Sequence, residues 1–274
     1  MAIESAATRA GDGSERGRFS AICQAELPVR PWSEERTRRL PGLNPLNPRH
    51  WLVVDDVYGE QMSYRDHLVE HHFPGVFACL DVAGNAAAEL LELVIETVTE
   101  IRGFCRKKNI VTRPDGVSVR LDGRHPLATV GRLVQEDFCI LQKSGTEHVL
   151  TAGILCFPAS WSLGEKLCRP LTSIHQPIPE YDDRVARGVQ RVFDALVPER
   201  PLWRANNLVY DDPDLFQPRR ENARRSKPGD GRKWIRVELQ TLRKLPESQA
   251  VVFGIHTWVV SQENVGPGCP LLDR

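Results

Sequence analysis

With 274 residues, 41% of them hydrophobic, the chain can bury the core of one large domain or two small ones. Lys plus Arg and Asp plus Glu both number 36, and a net charge of zero argues against a nucleic-acid binder that works through bulk electrostatics. Seven cysteines, an odd number with no C-x-x-C pair, disfavour a disulfide framework or a zinc site and point to a reducing cytoplasm, while no run reaches the roughly 18 apolar residues of a membrane span.

Residues 1–40 mix Arg, Glu, Ser and Gly with few large apolar side chains, so a disordered arm is expected. It lacks the apolar centre of a secretory signal, and its basic run at 36–39 adjoins Glu34 and Glu35 and reads as solvated charge. The ordered domain is expected over 41–262. It opens with the proline-rich LPGLNPLNPRHW, which favours an extended segment over a helix.

Residues 55–72 read as a helix stopped by Pro74. His67 and His71 stand at i and i+4 with His72 beside them, but a metalloprotease motif needs glutamate where Leu68 stands, so a solvated face is the reading. Ala87, Leu90, Leu91, Val94, Val98 and Ile101 recur at helical spacing and mark a packing stripe. Pro126 suits the first position of a helix over 126–134. The apolar runs 138–141 and 149–157 flank KSGTEH, where Gly145 supplies the turn of an antiparallel hairpin.

Stretch 153–179, GILCFPASWSLGEKLCRPLTSIHQPIP, specifies three local structures in one short span. Ser162 and Glu165 match a capping box for a helix starting near Leu163. Pro170 and Pro177 then bound the turn that carries His175. A histidine so held can act as a ligand, or it can simply hydrogen-bond a neighbouring carbonyl. Val185, Val189, Val192, Phe193 and Leu196 form a further helical stripe, ended by Pro198.

LWRANNLVY (202–210) reads as a strand, and the polar insertion 211–232 that follows is expected to be a mobile loop. KWIRVELQTLRKL alternates with period two, and AVVFGIHTWVV (250–260) completes a second hairpin. Five antiparallel strands flanked by helices suit an α+β domain with one curved sheet, followed by a loose tail over 263–274. Arg236, Glu238 and Gln240 share one strand face. Facing water they are ordinary surface residues; facing a cavity, the Arg and Glu need each other or a ligand. Gln135, Glu136 and Asp137 pose the same question, and His256, alternating with Trp258, is placed to line the same space.

The motifs G-x-S-x-G, G-x-x-x-x-G-K-[ST], H-E-x-x-H and G-x-G-x-x-G are absent, as is the C-x-x-C-H of covalent haem attachment.

The blocks LVQEDFCIL (133–141), AGILCFPASWSLGEKLCRPLTSIHQPIPEY (152–181), RPLWRANNLVYDDP (200–213) and RVELQTLRKLP (236–246) resemble the haem-dependent oxidative N-demethylase family over roughly residues 40–262. The resemblance implies a haem-binding PAS-like catalytic domain, a five-stranded antiparallel sheet with helices on one side. It implies non-covalent haem b, activation of dioxygen, and oxidation of an N-methyl group to a carbinolamine that releases formaldehyde. The histidine of the IHxPxP block falls on His175, the expected iron ligand, with Trp161, Phe157 and His256 expected to line the cofactor. The family's polar strand motif lands on Arg236, Glu238, Gln240 and Thr241, with Arg236 polarising the distal pocket and Glu238 and Glu136 as further catalytic groups. The chain departs from the family's pattern at 205–209 and at Leu239, where an arginine is common, so a small secondary amine is not the assumed substrate. A separate electron-donating reductase is expected, since neither a nucleotide fingerprint nor a cluster motif is present. The competing reading is a non-catalytic haem or gas sensor of the PAS kind.

Overall fold

The period-two runs of the sequence become the middle of a sheet. Ten strands form in the computed structural model, among its described residues 19, 21–33, 35–38, 42–121, 123–175, 183–223, 229, 231–265 and 269–270. They are β1 (Asn44–Pro45), β2 (Phe77–Cys79), β3 (Cys105–Lys107), β4 (Ile110–Thr112), β5 (Ser118–Arg120), β6 (Asp137–Ser144), β7 (Glu147–Ile154), β8 (Leu202–Tyr210), β9 (Trp234–Lys244) and β10 (Val251–Ser261). One antiparallel sheet has seven strands in the order β1-β8-β9-β10-β6-β7-β2, and a second has three, β3-β4-β5.

The five strands expected from the sequence are the central five of the larger sheet, so the expected five-stranded sheet is corrected to seven. The two additions are edge strands of two and three residues, β1 on β8 and β2 on β7, too short to show a period. The smaller sheet was equally unreadable, because its three-residue strands are mostly exposed. Gly145 does hold the β6–β7 turn, with φ of 62°.

The main helices are α1 (Tyr58–His71), α2 (Gly84–Thr99), α3 (Pro126–Gly131), α4 (Leu163–Lys166), α5 (Leu171–His175) and α6 (Asp183–Ala195). They cover both faces of the sheet rather than one. The α2 stripe of Leu90, Leu91, Val94 and Val98 packs with Leu127 and Val130 of α3 against Phe138, Ile140, Ile154 and Val252. Each such side chain contributes about 1.5–3 kcal/mol by burial. On the opposite face Leu163, Leu171, Phe193 and Leu196 meet Cys139, Leu141, Leu242 and Ile255. No helix among the described residues is long and apolar enough to cross a membrane.

Part of the expected disordered arm is ordered. β6 pairs with β10 only as far as Ile255, which leaves the Val259 backbone open. Gln24 takes that place: its N–H donates to the Val259 carbonyl at 2.9 Å, and its side-chain oxygen accepts from the Val259 N–H at 2.7 Å. Leu27, with Val29 and Trp32, then packs on Ile235, Val237, Trp258 and Val260. Two residues of the expected loose tail, Val265 and Cys269, are buried in the same cluster.

The β9–β10 register sets Thr257 opposite Glu238 and Val259 opposite Arg236, while His256 opposes Leu239. His256 therefore lies on the face opposite to Arg236, Glu238 and Gln240, and the expectation that it lines their space is corrected by strand parity. There it is buried between two carboxylates. Its Nδ1 donates to Glu136 Oε1 at 3.1 Å and its Nε2 to Asp55 Oδ2 at 3.2 Å. Asp55 also accepts from Gln24 and Gln135, and Glu136 from the Val53 N–H. Two donating ring nitrogens mean an imidazolium. Burial pushes the His256 pKa down, but the hydrogen bonds and charges of Asp55 and Glu136 outweigh it and raise it to about 9.

Because that value is above the unfolded one, the stabilisation is complete below about pH 6.5 and is lost as pH rises through 9. The expected loss between pH 7 and 10 is about 3 kcal/mol. Denaturant unfolding across this range should show the slope in the wild type and not in His256→Leu, which starts out less stable at pH 7.

Candidate active site

Stretch 153–179 is shaped from its two ends. At the β7 end, Asp137 Oδ1 accepts from the Cys156 N–H at 2.7 Å and Oδ2 from the Phe157 N–H at 2.8 Å, which turns the chain off the sheet. That carboxylate is ion-paired with fully buried Arg65 at 2.7 Å. Gly153 permits the return of α4, since a Cβ there would stand 2.7 Å from Leu163 Cδ1. The capping box expected at Ser162 does not form. The Ser162 hydroxyl donates instead to the Glu165 carboxylate at 2.8 Å, which also accepts from the Glu221 N–H at 3.1 Å.

Pro170 makes a bridge to Val149 and opens α5, whose last residue is His175. The His175 Nδ1–H donates to the Leu171 carbonyl at 2.8 Å. That bond selects the tautomer with the lone pair on Nε2. Burial lowers the His175 pKa, the Leu171 bond opposes this, and the positive charges of Lys166 and Arg204 lower it further. The imidazole is neutral at pH 7, as a metal ligand must be. Residues 176–182, including the rest of the IHxPxP block, lie outside the described residues.

Lys166, nearly buried, donates to the Ile174 carbonyl at 2.9 Å and pairs with Glu221, which also binds Arg169 at 3.0 Å. The first half of the polar insertion is thus tied down rather than loose. Leu215 is buried, and Tyr64 Oη donates to Asp214 at 2.9 Å.

The sheet face opposite His256 carries Arg204 and Asn206 of β8 and Arg236, Glu238 and Gln240 of β9, with Arg204 paired to Gln240 and Asn206 to Glu238. The β9 residues are buried, so they are not ordinary water-facing surface residues. Arg236 donates to the Leu215 and Phe157 carbonyls and, at 3.4 Å, to Thr257 Oγ1. Its Nε lies 3.5 Å from Glu238 Oε1, whose partner oxygen accepts from Gln240 Nε2 at 3.0 Å.

Of the residues singled out in the sequence, the fold brings Arg236, Glu238 and Gln240 together and places Trp161 in the apolar cluster that holds α5. Thr241 and His256 fall on the other face, with Glu136 bonded to His256. The Phe157 ring turns toward Tyr64 and Arg65, so only its carbonyl reaches this face. Arg204 and Asn206 escaped sequence reasoning; the usable signal was that both sit at the parity of Leu202 and Leu208 on one strand.

The residues fit an iron porphyrin. A neutral imidazole is anchored through Nδ1, Trp161 supplies an aromatic wall in an apolar cluster, and three side-chain atoms on the polar face, Arg204 Nε, Asn206 Oδ1 and Arg236 Nε, are buried with no hydrogen-bond partner. Among the described residues no group of three His, Cys, Asp or Glu side chains could hold a metal ion, so His67, His71 and His72 form no such centre. A porphyrin iron needs only one protein ligand from this chain.

Residues 42–266 match the protein family described as haem-dependent oxidative N-demethylase, alpha subunit-like.

The Arg65–Asp137 pair underlies this geometry. Asp137→Asn, which keeps the size and removes the charge, is expected to cost about 3–5 kcal/mol, measured by denaturant unfolding at pH 7.

Proposed function

Because the chain belongs to the haem-dependent oxidative N-demethylase, alpha subunit-like family, we propose that it is a haem-dependent oxidase that removes an N-methyl group from a small organic amine. The observation that carries this reading is His175, a neutral imidazole whose Nδ1–H is held by the Leu171 carbonyl and whose ring lies within the field of Arg204 on the polar sheet face. His175 Nε2 would ligate the iron of a non-covalent haem b, with Trp161 beside the cofactor. When bound, the haem supplies the activation of dioxygen.

The chain's own residues then divide the remaining work. Arg236, fixed by two carbonyls and Thr257, presents a positive charge that cannot swing away, suited to polarising the oxygen side of the pocket. Glu238, shared between Arg236 and Gln240, is the acid available to hold the ammonium of an amine substrate. A C–H bond of the N-methyl group is replaced by C–O. One dioxygen oxygen enters the carbinolamine and the other leaves as water with two electrons and two protons. The carbinolamine then separates into amine and formaldehyde. Glu136 and His256 act through the fold and are assigned no part in this step. A separate reductase delivers the electrons in a cytoplasmic setting; the family's alpha-subunit description supports a partner subunit.

Reconstitution with haem b is expected to give a Soret band that shifts in His175→Ala. An unchanged spectrum overturns the ligand assignment. Since burial holds the His175 pKa below its ordinary value, the ligated spectrum should persist to pH values below 6.5 before protonation of Nε2 competes. With a reductant present, formaldehyde should form from N-methyl amines, and no turnover across a broad amine panel would favour gas sensing.

A further inference from the structure

Arg204 is the one cation of the polar face that the fold leaves unmatched among the described residues. It stands on β8 opposite Gln240, two residues from Leu202, which packs in the same apolar cluster as Leu171 and Ile174 of α5. Among the described residues the guanidinium makes no hydrogen bond or ion pair, and its Nε is buried without a partner. Among the described residues the charges of the face do not balance: Arg204 and Arg236 stand against Glu238, two minus one, because Lys166 and Arg169 are taken by Glu221. Burial disfavours the charge of Arg204, and Glu238 only partly restores it from beyond ion-pair distance. Arg204 and His175 are near neighbours: Leu202 and Ile174, two and one residues from them, pack in one apolar cluster, and the charge of Arg204 acts on the imidazole.

A half-buried guanidinium with unused donors is costly unless an anion meets it, and its planar fork matches a carboxylate with two parallel hydrogen bonds. We propose that Arg204 binds a carboxylate at this site, supplied either by a haem propionate or by a carboxylated amine substrate. The proposal rests on the haem-dependent reading above. It adds an anion subsite beside the imidazole, and where the substrate supplies the carboxylate it extends the substrate class to N-methyl amino acids.

The test uses Arg204→Leu and Arg204→Lys in the full chain. Neither removes a hydrogen bond of the fold, so thermal unfolding of the haem-free protein should stay at or above the wild-type midpoint; a lower midpoint for both would mark a structural role and overturn the proposal. Haem release to apomyoglobin is then followed for haem and for its dimethyl ester. If a propionate is the partner, Arg204→Leu speeds release of haem about 10–100-fold, wild type releases the ester equally fast, and the variant adds nothing for the ester. If the substrate carboxylate is the partner, haem release is unchanged, but N-methylglycine no longer perturbs the Soret band of Arg204→Leu while dimethylamine still does. Wild-type behaviour in both assays ends the proposal. If the wild type binds no haem, the parent reading falls on its own. Calorimetry with N-methylglycine on the haem-free protein then decides the subsite: binding by wild type and not by Arg204→Leu upholds it, and no binding by wild type ends it.

Discussion

The buried pair of Arg65 and Asp137 is the contact on which the site's geometry depends. Arg65 donates to the carbonyls of Gly131, Gln135 and Glu136 at 2.9, 3.1 and 2.8 Å, and to Asp137 at 2.7 Å. Asp137 in turn holds the amides of Cys156 and Phe157. One ion pair thus joins α1, the end of α3, the start of β6 and the exit from β7. An ionic interaction in a dry interior is tolerable only when its remaining donors and acceptors are satisfied, and here the guanidinium and carboxylate are both heavily bonded. Its reach continues: the Phe157 carbonyl placed by Asp137 is one of the groups that immobilise Arg236. Gly131 is part of the same design, because a Cβ there would meet Ile154 Cγ1 at 2.5 Å.

The sheet separates two kinds of buried polarity. On one face, Asp55 and Glu136 enclose His256 in a closed network that also secures Gln24 and the segment 21–33. Both ring nitrogens of His256 are bonded, and of the two carboxylates only Glu136 Oε2 is left without a partner. On the other face, Arg204, Asn206 and Arg236 keep atoms without partners around a single carboxylate. The difference between the faces lies in charge: the His256 side sets two carboxylates around one imidazolium, while the other sets two guanidinium groups around one carboxylate.

The central strands and the long helices were legible because their apolar residues repeat at two or at three to four. What could not be read was parity and pairing. Whether His256 shares a face with Glu238 depends on how many residues the 245–250 turn consumes, and a shift of one residue reverses the answer. The burial of Arg236, Glu238 and Gln240 was likewise undecidable without knowing what covers β9. For His175 the two sequence readings prove compatible in geometry, since a ring nitrogen bonded to a carbonyl is also what orients a ligand. Arg204 was invisible for a simpler reason: a lone arginine in an amide-rich strand carries no sign of its partner, or of lacking one. Arg65 and Asp137 gave no period at all, their pairing spanning 72 positions.

The clasp formed by Lys166, Arg169 and Glu221 bears on the insertion between β8 and β9. Lys166 is nearly buried and holds the carbonyl of Ile174, the residue before the candidate ligand. A relative with a shortened insertion would lose the counter-charge of that ammonium and leave it bare beside the imidazole. Surface loops ordinarily vary freely in length. This one acts as a strut, because Glu221 within it supplies the counter-charge of Lys166.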